Sequence, residues 1–290
     1  MKKITFWIEA MRLRTLPVSL AGIIAACALA LTSRCFSLTA AILCLLFATL
    51  AQIASNFANE YYDFKAGLDA PGRDGPRRGV TEGDITPRAM KAATYGVLAA
   101  ACAVGLAIAA TAGWWLVGAG IIIALGVIAY SAGPFPLSRH GLGEIAVIFF
   151  FGIIPVNLTY YVMSGVLWMP DVFMTSLSIG LMGANVLIVN NYRDADADRA
   201  VGKKTLAVVL GRPAMSALYV INALGAVVLM EPLWIAGPRW GLFIPLAYVA
   251  AAFLIRHRLV TLRGAALNPL LGATAMAMAL YSLGFLASAF

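Results

Sequence analysis

Two short stretches hold most of the residues able to do chemistry: NEYYDFKAGLD at 59–69 and NNYRDADAD at 190–198. In the second, Asn190, Asp194 and Asp198 fall four apart, so on a helix they form one stripe. Gly202 would continue that stripe by a turn, while Asp196 lies on the opposite face. In the first, Asn59 and Asp63 share a face, and Gly67 lets the chain leave the helix so that Asp69 turns back toward Asp63. Both stripes begin in apolar sequence, where an unpaired carboxylate is expensive. Facing carboxylates repel unless cations lie between them, and hard oxygen donors suit Mg2+, which is commonly held by a few carboxylates plus substrate phosphates. The guest implied is a diphosphate bridged through Mg2+ to Asp63, Asp69, Asp194 and Asp198. Asn59 and Asn190, one helical turn deeper, can orient ligands or hydrogen-bond phosphate. Arg77, Arg78, Arg193, Lys203 and Lys204 stand close along the chain and can bind the remaining phosphate oxygens. Any one of these acids also reads as a solvated helix end, and any one of the bases as a topogenic charge. Two matched stripes favour a site.

The elements that position these residues are membrane spans. The 290 residues are 62% hydrophobic and 12% charged, against roughly 25% charged in soluble domains. That composition excludes a large soluble enzyme. The net charge of +8 is scattered between apolar segments rather than clustered, which argues against a nucleic-acid partner. Nine apolar segments, each near membrane-spanning length, fall at 17–33, 38–60, 89–110, 114–132, 142–163, 172–192, 213–230, 240–256 and 266–288. The N-terminal MKKITFWIEAMRLRTLP reads as an interfacial amphipathic helix, not a signal peptide, because charges interrupt any apolar core. With nine spans, all but two of the 21 Lys and Arg residues (Arg34 and Arg239) fall on one side, which is therefore cytoplasmic. The N-terminus and both acidic stripes share that side, and the C-terminus lies outside. Cys27, Cys35, Cys44 and Cys102 lack metal-ligand spacing and read as small packing residues. The expected architecture is a single all-α domain, 1–290, with cytoplasmic cap loops at 61–88 and 193–212. Its stripes lie four spans apart, so parallel half-repeats at 17–132 and 142–256 are expected, with a ninth span left over.

These residues resemble the UbiA-type membrane prenyltransferases, whose two Asp-rich motifs read near N-D-x-x-D-x5-D and N-x-x-R-D-x3-D. RLRTLPVSLAG (12–22), YSAGPFPLSRHGLGEIAVIFFFG (130–152), GKKTLAVVLG (202–211) and LNPLLG (267–272) are similar to the branch that prenylates 1,4-dihydroxy-2-naphthoate for menaquinone synthesis. Glu60 stands where the family carries Asp, a change expected to retune metal or hydrogen-bond geometry. The resemblance implies a bacterial cytoplasmic-membrane enzyme. It would transfer a polyprenyl chain from its diphosphate to the naphthoate, with loss of the ring carboxylate, to give demethylmenaquinone. It also implies a phosphate role for Arg139, where relatives outside the branch carry Lys. Tyr130 either faces the allylic cation through its ring or anchors the membrane interface. Arg12 or Arg14 either binds the naphthoate carboxylate or serves as topogenic charge, and Glu144 and His140 have no firm assignment.

Three rival readings differ in sequence. CDP-alcohol phosphotransferases need a contiguous block beginning D-G-x-x-A-R, which this chain lacks. A secondary transporter would place its acids near the bilayer midplane, often in inverted repeats, whereas here they sit at one edge. Within the family, 4-hydroxybenzoate is the alternative acceptor.

Overall fold

The computed structural model describes residues 2–69 and 75–290. The part of the expected cap loop at 70–74, with Arg73 and Asp74, lies outside the described residues. Among those residues the chain is helical, with no strand: α1 (Lys2–Met11), α2 (Leu16–Thr32), α3 (Leu38–Lys65), α4 (Pro87–Ala112), α5 (Leu116–Ala129), α6 (Gly143–Ser164), α7 (Pro170–Ala200), α8 (Leu206–Leu229), the short α9 (Glu231–Ala236), α10 (Phe243–Thr261) and α11 (Asn268–Ala287). Eight helices are long and apolar enough to cross a membrane, α1 and α2 counting together as one. The fourth expected segment, 114–132, is α5, apolar but shorter at 14 residues. It is short because Gly113 (φ 135°) and the two tryptophans after it form a turn, and only at Leu116 does the helix resume.

The bundle is built around α2 and α7. Their apolar windows are 61% and 72% buried, against no more than 44% for any other span. Small residues explain α2: Ala21, Ala25, Ala26, Ala28 and Ala30 are wholly buried, so neighbouring helices approach closely. Buried amides and a hydroxyl fasten α7 to α8, with Asn185 Nδ2 donating to the Tyr219 carbonyl (2.9 Å), Asn222 Nδ2 to Asn185 Oδ1 (3.1 Å) and Ser178 Oγ to the Ala226 carbonyl (2.7 Å). All four cysteines are free.

A wide π-helical turn, Ile148–Ile153, interrupts α6 just before Pro155. Proline lacks an N–H and its ring would press on the carbonyl of Phe151, so the turn widens there. The same stretch crosses α7 almost backbone to backbone. A Cβ on Gly152 would lie 2.4 Å from the Ser176 carbonyl oxygen and 2.5 Å from the Gly180 Cα.

Two boundaries move outward. The cap loops were expected to begin at 61 and 193, yet α3 runs to Lys65 and α7 to Ala200. Asp63, Asp194 and Asp198 thus stand on helix, past the apolar part of each span, and Asp69 lies beyond the end of α3.

Gly152→Ala is expected to lower the melting temperature in detergent by an amount equivalent to about 1–3 kcal/mol of overpacking. Gly118→Ala, where the added Cβ meets nothing within 4 Å, is the control and should be neutral. Equal melting curves for the two variants would contradict the crossing.

Candidate active site

The two acid-bearing helices end in the same way. In α3, Gly67 takes φ 68°, its N–H bonds the Phe64 carbonyl (2.9 Å) and the Leu68 N–H bonds the Asp63 carbonyl (3.0 Å). In α7, Gly202 takes φ 75°, its N–H bonds the Arg199 carbonyl (3.2 Å) and the Lys203 N–H bonds the Asp198 carbonyl (2.9 Å). Both are Schellman caps, and each places an aspartate four residues before the glycine. Gly202 therefore ends the stripe it was expected to continue.

Acids at a helix C-terminus work against the helix dipole and need cations nearby. Asp63, 1% exposed, has two. Arg139 Nη2 lies 3.2 Å from its Oδ1, and Lys203 Nζ lies 3.2 Å from its Oδ2. Lys203 also stands 3.8 Å from Asp198 Oδ1, so a single ammonium joins the stripes of α3 and α7. Its position follows from the cap, because the residue after the left-handed glycine is turned back over the helix end.

Asn59 organises the first stripe. Its Oδ1 accepts from Arg12 Nη2 (3.0 Å) and Arg78 Nη2 (3.0 Å). Its Nδ2 donates to Ser131 Oγ (3.0 Å) and Asp63 Oδ2 (3.3 Å). Arg78 also approaches Asp69 Oδ2 (3.4 Å), while its buried Nη1 has no protein partner. Among the described contacts Asp69 thus meets Arg78, not Asp63. In the second stripe Arg193 clasps Asp194 through two bonds, Nε to Oδ1 (2.7 Å) and Nη2 to Oδ2 (2.8 Å). It also donates to Asn190 Oδ1 (2.8 Å) and Asn268 Oδ1 (2.9 Å). The guanidinium is thereby committed to orienting protein groups.

All the candidate residues named from the sequence except Asp69, Arg139, His140 and Lys204 line one polar cavity of ≈ 530 Å³. Asp69 and Arg139 stand behind its wall, in contact with Arg78 and Asp63. Lys204 gives only its backbone N–H to the Arg139 carbonyl (3.0 Å). Arg77, on the rim, is engaged by Asp84 and Glu9 and lies over the Phe6 ring, bracing the cap against α1. Arg14 is exposed on the rim.

The polar cavity meets an apolar groove of ≈ 310 Å³ between α3, α4, α5 and α6. Gln52, Ser55, Tyr130, Val147 and Phe151 line both, so they form the mouth between them. The space on the groove side comes from small residues. A Cβ on Gly126 would strike the Phe150 ring at 2.3 Å.

Glu60 is wholly buried, and its Oε1 accepts from the Val80 N–H (3.0 Å), holding the loop that carries Arg77 and Arg78. The side chain thus sets hydrogen-bond geometry, through the loop. Ser131, Asn191 and Asn268 also belong to the site's hydrogen bonds and were not singled out in the sequence, because isolated polar residues at span ends carry no spacing signal.

The UbiA prenyltransferase family profile matches residues 19–269. The chain belongs to that family. It is 39% identical over 213 residues to the 1,4-dihydroxy-2-naphthoate octaprenyltransferase of Escherichia coli strain K12, covering 71% of this chain and 68% of that protein. It is 34% identical to the protein of the same name from Haemophilus influenzae, covering 72% and 70%. A solved UbiA homolog from Archaeoglobus fulgidus, described as bound to DMAPP and Mg2+, shares the fold with a TM-score of 0.66 at 18% identity over 97% of this chain and 99% of its own.

The donor set fits a hard divalent cation, since every candidate ligand is a carboxylate or amide oxygen. Among the described residues no three acidic, histidine or cysteine groups converge into a ready-made cluster. The stripes instead face across the cavity, an arrangement suited to a cation that arrives with a diphosphate.

Glu60→Asp, one methylene short of Val80, should raise KM for the prenyl diphosphate by roughly five- to tenfold, matching loss of a buried hydrogen bond worth about 1–1.5 kcal/mol. Steady-state kinetics in detergent checks this, and an unchanged KM would place the loop's anchor elsewhere.

Proposed function

We propose that this UbiA-family enzyme transfers a polyprenyl chain from its diphosphate to 1,4-dihydroxy-2-naphthoate, with loss of the ring carboxylate, to give demethylmenaquinone. The observation that carries this reading is the joined cavity. Its polar half holds both acid stripes, its apolar half is a groove among membrane helices, and one mouth connects them. A guest with a highly charged head and a hydrocarbon tail fits that shape. The names of the relatives supply the acceptor.

In this reading Asp63, Asp69, Asp194 and Asp198 hold Mg2+ with the diphosphate. The cation supplies positive charge to the leaving group. Arg78 offers its unpartnered Nη1 to a phosphate oxygen, and Lys203 can exchange its protein carboxylates for another. Arg139 orients Asp63, and Arg193 does the same for Asp194. Asn59 and Asn190 fix the stripes by bonding Arg12, Arg78 and Arg193. As the allylic C–O bond breaks, its electron pair leaves with the diphosphate. The carbon left behind is at the mouth, where the Tyr130 ring faces the developing cation. The ring of the acceptor supplies the pair for the new C–C bond, and Val147 and Phe151 keep water away.

The enzyme sits in the bacterial cytoplasmic membrane, with the cavity and N-terminus on the cytoplasmic side and the C-terminus outside. The charge asymmetry of the loops supports this orientation. The paired Schellman caps support two parallel half-repeats, 17–132 and 142–256, in one domain.

Purified enzyme should prenylate the naphthoate, should prefer it to 4-hydroxybenzoate, and should lose activity in EDTA and recover it with Mg2+. Asp63→Asn should lower kcat by on the order of 10²-fold or more, as expected when charge stabilisation of a leaving group is removed. Full activity in EDTA, full activity in Asp63→Asn, or a preference for the benzoate would each contradict the reading.

A further inference from the structure

Glu144 is a buried carboxylate that the transfer chemistry above does not use. It is 4% exposed and lines the polar cavity from the first turn of α6. Its Oε1 accepts from Asn191 Nδ2 at 2.9 Å. Among the described residues no Lys or Arg pairs with it, in contrast to Asp63, Asp194 and Asp198. A buried carboxylate without a countercharge is costly unless hydrogen-bond donors surround it. Asn191 and the residue's own backbone N–H are the protein donors, both neutral, and the side chain lines the cavity, where a guest can supply a further one.

The position of Glu144 selects the donor. Val147, three residues on, shares the face of Glu144 on α6, and Phe151 lies in the widened turn that follows. All three line the polar cavity, and Val147 and Phe151 also line the mouth. The preceding residue, Gly143, lies beside the phenol of Tyr130: a Cβ there would be 3.6 Å from its hydroxyl. An anionic diphosphate would be repelled by this unpaired carboxylate. A flat neutral group carrying a hydroxyl would not. It would rest on Val147 and Phe151 and give its O–H to Glu144.

We propose that Glu144, held in place by Asn191, accepts a hydrogen bond from the acceptor's hydroxyl and so selects acceptors that carry one. This deepens the reading above and rests on it. In 1,4-dihydroxy-2-naphthoate the 1-hydroxyl is adjacent to the carboxylate and bonds to it internally, leaving the 4-hydroxyl free to reach Glu144. The carboxylate then points away from Glu144, which avoids repulsion between like charges. Accepting the hydroxyl proton in a hydrogen bond also raises the electron density of the ring that attacks the allylic carbon. A site built to bond a substrate hydroxyl rejects an analogue lacking it, because its own buried group is left unpaired.

The test uses the full-length enzyme in detergent and compares 1,4-dihydroxy-2-naphthoate with 1-hydroxy-2-naphthoate, the second measured as a competitive inhibitor so that ring reactivity does not enter. Wild type should favour the dihydroxy compound by on the order of tenfold or more, the value of a hydrogen bond to a charged group. Glu144→Gln should reduce that preference to about twofold, with the KM for prenyl diphosphate unchanged. Asn191→Ala, which frees the carboxylate to move, should weaken the same preference in part, and it carries the test if Glu144→Gln does not fold. A preference retained in both variants, or a rise in prenyl-diphosphate KM equal to the change in acceptor affinity, would overturn the proposal. A wild type that fails to prenylate the naphthoate at all would overturn the underlying reading instead.

Discussion

Four carboxylates at the C-terminal ends of two membrane helices form an arrangement that no helix stabilises by itself. The dipole opposes them, the neighbouring bilayer opposes them, and they oppose one another. What the structure offers in return is a set of cations with defined partners. Lys203 joins Asp63 to Asp198, Arg193 clasps Asp194, Arg139 supports Asp63 and Arg78 approaches Asp69. The helix caps, the loop anchored by Glu60 and the contact of the 131–142 segment with Asp63 all serve this balance. On the proposed reading, positive charge brought with a substrate would enter a site already arranged around negative charge, and little reorganisation would be needed at the moment of bond breaking.

The rest of the molecule gives that charged end a greasy neighbour. Alanines in α2 and the paired glycines of α6 and α7 let the central helices pack closely. The outer helices α4 and α5 close over the apolar groove instead of the core. Pro155 widens one turn of α6, and Phe151 of that turn lines the mouth. A single kink in a single helix thereby touches both halves of the site.

Much of this was legible in the sequence where a pattern had a period. The x3 spacing placed Asn59 with Asp63 and Asn190 with Asp194 and Asp198, and the nine apolar runs correspond to eight helices of spanning length and the shorter α5. Where the pattern was not periodic, the sequence misled or was silent. Gly202 fits the four-residue repeat, yet glycine at a helix end favours the left-handed cap, and conformational freedom wins over spacing. The helices outlast their apolar runs because Tyr62, Asp63, Arg193 and Asp194 bond within the site and need no lipid. The partner of Glu60 was silent in the sequence because the Val80 N–H is a backbone group twenty residues away that no side-chain motif encodes. Arg77 and Arg193 were read as phosphate binders from proximity along the chain, and their protein partners, Asp84, Asp194 and Asn268, carried no signal in that proximity.

The central claim is that the two stripes act as one clamp on a diphosphate and its cation, and binding tests it without chemistry. Calorimetric titration of the enzyme with a non-hydrolysable prenyl thiolodiphosphate would give its affinity with Mg2+ and in EDTA, for wild type, Asp63→Asn and Asp198→Asn. A single clamp predicts that Mg2+ strengthens binding at least tenfold in wild type, about 1.4 kcal/mol, and that either substitution removes most of that gain. An affinity indifferent to Mg2+, or a gain that survives the loss of one stripe intact, would contradict it.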